Sequence, residues 1–199
     1  MKNCYSKSLG GQDNLSLLEH TQNVIQSFER YYESKVALLL PNFYFKILLA
    51  LHDLGKPQAI RENAPEKQHM YTLKLIEIIN KEFQISEDSL TRICIIINGD
   101  PIGRYLNSKH EYTISESLGV LHDMASALSV PILKLWRTIL VYHQCDAAGY
   151  PSLVEKVFKT DTMNRPIYSN ALGRLLLKNP EEMARFHQLE RAVIYDAMH

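Results

Sequence analysis

The chain has 199 residues, 46% of them hydrophobic, which suffices for one domain with a sizeable core, or for one domain and a small extension. Lys+Arg and Asp+Glu number 22 each, so the net charge is zero and the strongly basic footprint of a general nucleic-acid binder is missing. A local basic pocket for phosphate is compatible with that balance, because net charge does not fix how charges are distributed. Three cysteines, Cys4, Cys94 and Cys145, form no Cys-x-x-Cys pair; so sparse a set argues against a disulfide framework and fits a reducing compartment. The apolar runs at residues 47–51 and 93–97 are far too short to span a bilayer, and residues 1–11 carry no apolar signal-peptide core. These features predict a cytoplasmic protein with no membrane partner.

Helical periodicity dominates, and no segment shows convincing strand alternation. Leu17, His20, Thr21, Val24 and Phe28 form one stripe, with Asp13 or Asn14 expected as its N-cap. Pro41 begins the next helix, which runs to Leu51 and is expected to be stopped by Gly55 and Pro57. Residues 65–82 predict a third helix, with His69, Leu73, Ile76 and Ile79 on one face. Residues 86–97 predict a fourth, isoleucine-rich and buried. Asn98-Gly99-Asp100-Pro101 reads as a turn. Thr113 or Ser115 caps a helix to about residue 128, and Pro131 opens another that ends before Gly149-Tyr150-Pro151. Shorter helices are expected near residues 152–158 and 169–178, with a last one near 180–198. The fold class is therefore all-α: a helical bundle over residues 1–150, with residues 151–199 as a C-terminal helical extension packed on the same domain.

The most informative segment is Leu51-His52-Asp53-Leu54-Gly55-Lys56-Pro57, an apolar helix ending in a His-Asp pair. Imidazole and carboxylate both suit borderline or hard divalent cations. Adjacent helical residues point about 100° apart, so the pair can occupy neighbouring corners of one coordination shell but cannot complete it. His20, on the stripe of Leu17 and Val24, faces the core. So does Asp146, on the stripe of Leu135, Ile139 and Tyr142. A buried carboxylate is costly alone and less so when it holds a metal. A second dipeptide, His122-Asp123, lies mid-helix with no following glycine and lysine, and reads as structural.

This pattern resembles the HD superfamily of metal-dependent phosphohydrolases: a histidine, a His-Asp pair and a distant aspartate on a helical bundle. Here they are His20, His52, Asp53 and Asp146, within roughly residues 15–150, and His-Asp-Leu-Gly-Lys matches the His-Asp-x-Gly-Lys variant. The resemblance implies one divalent cation (Mn, Mg, Co, Ni, Fe or Zn alike) held by those four side chains. Catalytic roles fall to Asp53, Lys56 and His69, and substrate contacts to Lys56, Arg61 and Arg104. Some one-metal HD enzymes carry a glutamate where this chain has Lys56. In two-metal branches a histidine placed like His69 binds the second ion, with further histidines for which His110, His122 and His143 are the candidates, so a second metal stays open. The expected partner is a small phosphorylated substrate, nucleotide-like by family resemblance; the sequence carries no signal for an oligomeric state. The competing expectations are a catalytically inactive HD-fold module that senses a nucleotide or docks a protein, and an HD-type di-iron oxygenase.

Overall fold

In the computed structural model, residues 15–107, 112–151 and 180–199 are described. They form helices joined by short turns, with no strand among them, so the protein is all-α. We number the helices α1 (Leu17–Tyr31), α2 (Asn42–Leu51), α3 (Lys56–Arg61), α4 (Gln68–Phe83), α5 (Glu87–Gly99), α6 (Pro101–Asn107), α7 (Ile114–Leu128), α8 (Ile132–Ala148) and α9 (Pro180–Asp196); a 3₁₀ turn, Pro65–Lys67, precedes α4. No single helix among the described residues is long and apolar enough to cross a membrane.

Local chemistry explains most of the boundaries. Ser16, not Asp13 or Asn14, caps α1: its hydroxyl accepts from Glu19 N at 3.2 Å while Glu19 Oε2 accepts from Ser16 N at 2.8 Å. The two expected caps lie outside the described residues. Thr113 and Glu116 repeat this reciprocal cap on α7. Pro41 precedes α2 and Pro131 precedes α8, as expected. The β-branched run at residues 94–97 is helical, inside α5. One helix was missed: Asp100 turns the chain at φ 35° and its carboxylate accepts from Gly103 N at 3.0 Å, so the expected turn is also the cap of α6. The helices expected near 152–158 and 169–178 lie outside the described residues.

Two apolar clusters organise the packing. One gathers Val24, Phe28, Phe45, Leu48, Leu49, Ile76 and Ile93 from α1, α2, α4 and α5. The other gathers Ile102, Leu121, Met124, Phe186, Leu189 and Val193 from α6, α7 and α9. Helix α8 serves both, with Leu135, Trp136, Ile139 and Leu140 in the second and Val141, Tyr142, Cys145 and Ala148 in the first. Its C-terminal half lies along α1 and beside α2, at the end of the first cluster.

Candidate metal centre

Three helices deliver the four predicted side chains to one point. The stripe of α1 that buries Leu17, Val24 and Phe28 also buries His20, which is 0% exposed. Helix α2 ends at Leu51, and His52 and Asp53 follow in the closing turn, both buried. Asp146 lies in the last turn of α8. His20 Nε2 and His52 Nε2 stand 3.0 and 3.1 Å from Asp146 Oδ1, and 3.5 and 3.7 Å from Asp53 Oδ2. All four ligand atoms lie within 4.8 Å of one another. Bonds of ~2.1 Å to a common ion place adjacent ligands ~3.0 Å apart in an octahedron and ~3.4 Å apart in a tetrahedron, so the spacing fits a shared cation.

The hydrogen bonding carries the same message. His52 Nδ1 stands 2.7 Å from Leu49 O, a carbonyl that only accepts, so Nδ1 carries a proton. Neutral His52 then presents a lone pair at Nε2 to two carboxylates, which is repulsive unless a cation intervenes. In the metal-free protein that cation is a proton. Burial opposes the charge on His52, but Asp53 and Asp146 outweigh it and raise the imidazole from 6.5 to about 9. Burial also opposes the charges of the two acids. Hydrogen bonds from His20 and His52 nevertheless hold Asp146 well below the usual carboxylate range, and Lys56 and His52 lower Asp53.

A pH dependence follows. Because the folded-state value of His52 lies above its ordinary one, its proton stabilises the metal-free protein fully below 6.5, and that contribution is lost as pH rises through about 9. A divalent cation must displace this proton, so affinity for Mn²⁺ is expected to rise roughly tenfold per pH unit across that window and then level off. Calorimetric titrations in buffers of increasing pH measure this; a flat profile contradicts it.

Around the four ligands stands a layer of which the sequence singled out only Lys56. Lys56 Nζ donates to Asp53 Oδ2 at 2.8 Å and to Tyr150 OH at 3.0 Å. Burial works against the ammonium, but Asp53 and Asp146 raise its pKa and keep it charged. Gln68 Nε2 donates to Asp53 Oδ1 at 2.8 Å. The Tyr150 ring packs on His20 with centroids 4.5 Å apart. A Cβ on Gly149 would come within 2.5 Å of His20 Cε1, so that turn must be glycine for the histidine to fit. Thr72 Oγ1 accepts from Gly55 N at 3.0 Å and donates to the His52 carbonyl at 3.2 Å, tying α4 to the ligand-bearing turn. Gly55 and Pro57 do not stop a helix, as the sequence suggested: Gly55 caps α3 and Pro57 sits in its first turn.

The centre opens onto a cleft of ≈ 850 Å³ lined by Lys56, Gln68, His69, Arg104 and His143, among others. His69 Nε2 lies 3.6 Å from Asp100 Oδ2 on the cleft wall. Arg104 also reaches the cleft, with Nη2 donating to Asn98 O at 2.7 Å. Arg61 is not brought there; it is exposed in the last turn of α3 and outside the lining. With α3 starting at Lys56, a residue five positions on points about 140° away from it around the helix. His122 pairs with Asp196 of α9 at 2.8 Å, a structural contact, and His110 lies outside the described residues. Fold and site together define an all-α protein with a buried His/His/Asp/Asp group able to hold a metal ion, compatible with an HD-like site. Neither the protein-family models, nor the curated proteins, nor the solved structures give a significant match to this chain.

Proposed function

We propose that the chain is a metal-dependent phosphohydrolase, cleaving a phosphate ester of a nucleotide or nucleotide-like molecule, with a cation on His20, His52, Asp53 and Asp146. The observation that carries the reading is Lys56, a charged ammonium 2.8 Å from Asp53 Oδ2 that lines the cleft beside the four ligands. A purely structural metal site has its shell closed by protein ligands and needs no cation at its mouth. Here Asp146, 30% exposed, leaves the ligand set open on the cleft side. A divalent cation so placed would polarise a phosphoryl oxygen and acidify a water toward neutrality.

The chain's own groups supply the remainder. Asp146, on the cleft side of the ligand set, orients the attacking water. Lys56 neutralises the charge that builds on the phosphoryl oxygens, an effect that is largest in a site shielded from water. His69, beside Asp100, contacts the phosphate or gives a proton to the departing oxygen. The Arg104 guanidinium, on the cleft wall, suits a second phosphate oxygen.

The test is a panel of phosphoesters with protein supplied with Mn²⁺, Mg²⁺, Co²⁺ or Ni²⁺. Turnover is expected to depend on the metal and to vanish in Asp53→Ala; unchanged activity in that variant ends the reading. Lys56→Met is expected to keep the metal and lose about 10²–10³ in kcat. Metal retention without turnover of any ester would point instead to the non-catalytic module. Two irons per chain would point to the oxygenase, although among the described residues there is one four-ligand group.

A further inference from the structure

We propose that Gln68 is a positioning residue of the metal centre: it fixes the carboxylate of Asp53 so that Oδ2, and not Oδ1, is the oxygen offered to the cation. The inference rests on the metal reading above and adds a residue and a role to it.

Asp53 offers two oxygens, and the structure treats them differently. Oδ2 faces the ligand cluster, 3.5 Å from His20 Nε2 and 3.7 Å from His52 Nε2. Oδ1 accepts from Gln68 Nε2 at 2.8 Å. A carboxylate only accepts, so the amide must turn its nitrogen to Asp53. The side chain of Asp53 is 4% exposed, so its rotation is governed by these partners and not by water.

The chemistry of the donor matters as much as its place. A second ammonium at Oδ1 would cancel the charge the cation needs, since Lys56 already stands 2.8 Å from Oδ2. A neutral amide orients the carboxylate and leaves its charge available. Partners of this kind, one bond removed from the metal, set ligand direction and basicity.

The backbone is arranged to put Gln68 there. It is the first residue of α4, and α4 is clamped to the His52–Gly55 turn by Thr72. The approach is so close that a Cβ on Gly55 would lie 2.4 Å from the Gln68 carbonyl oxygen. The same contact that needs glycine at 55 therefore brings the amide of residue 68 within reach of Asp53.

The experiment titrates metal-free wild type, Gln68→Met and Gln68→Ala with Mn²⁺ by calorimetry, with circular dichroism confirming the fold, and records the visible spectrum of the Co²⁺ forms. Gln68→Met keeps the length and packing and removes the donor. Both variants are expected to bind Mn²⁺ about 10–100-fold more weakly, with a Co²⁺ band displaced from the wild-type position as Asp53 reorients. Wild-type affinity and an unmoved band in Gln68→Met overturn the role, whatever Gln68→Ala does, because packing alone would then suffice. Should wild type itself bind no divalent cation, the metal centre fails, a result separate from the failure of Gln68.

Discussion

Asp53→Ala is expected to destabilise the metal-free protein by about 3 kcal/mol, besides abolishing metal binding. The reason is Lys56. Its side chain is only 24% exposed, and its ammonium rests on Asp53 Oδ2 and Tyr150 OH, at 2.8 and 3.0 Å. Removing one member of a buried pair strands the other charge, at a cost of roughly 3–5 kcal/mol. The remaining tyrosine and the nearby cleft place this case at the lower end. For a chain of this size the melting temperature should fall by about 6–12 °C. The companion variant Asp53→Ala/Lys56→Met removes both charges and should recover most of the loss while still binding no metal. If Asp53→Ala melts like wild type, Lys56 is not held as described. If the double variant recovers nothing, the stranded charge is not the cause.

Gly55→Ala tests the close approach of α4 to the ligand-bearing turn. Gly55 has φ −80°, a backbone conformation alanine adopts without strain, but it caps α3, and at that position alanine is a poorer residue than glycine. Packing adds a larger cost. The new Cβ would lie 2.4 Å from both the Gln68 carbonyl oxygen and Thr72 N, which are backbone atoms and cannot swing aside. Overpacking of this kind costs about 1–3 kcal/mol, and two backbone collisions argue for the upper part of that range. Thermal unfolding should show a drop of about 4–12 °C. Divalent-cation affinity should fall with it, because α4 carries Gln68. An alanine variant as stable as wild type would mean that the two segments stand further apart than described.

The parts of this molecule that were legible in sequence are those set by one helix at a time. A 3.6-residue stripe placed His20 with Leu17 and Val24, and another placed Asp146 with Ile139 and Tyr142; the first is buried throughout and the second up to Asp146, which faces the cleft, and the all-α class follows from the same periodicity. The His-Asp pair was legible because an apolar helix ended on it. What stayed hidden depends on contacts between segments. Gln68 and Tyr150 touch Asp53 and Lys56 only because separate elements converge there, and neither has a local signature. Asp100-Pro101 did carry a signal for α6, an acidic cap followed by proline, which the reading of a turn overlooked. Arg61 was misplaced because its direction depends on where α3 begins.

Helix α8 has an effect that reaches beyond the cleft. One end of it carries Asp146 and the other carries Trp136, the chain's single tryptophan, seated in the opposite cluster beside Phe186 of α9. A cation gripped by Asp146 would favour the folded form by mass action, and that gain would spread to whatever the rod helps to hold. Helix α9, which packs on α8, would thus be steadied by an ion bound at the other end of that rod.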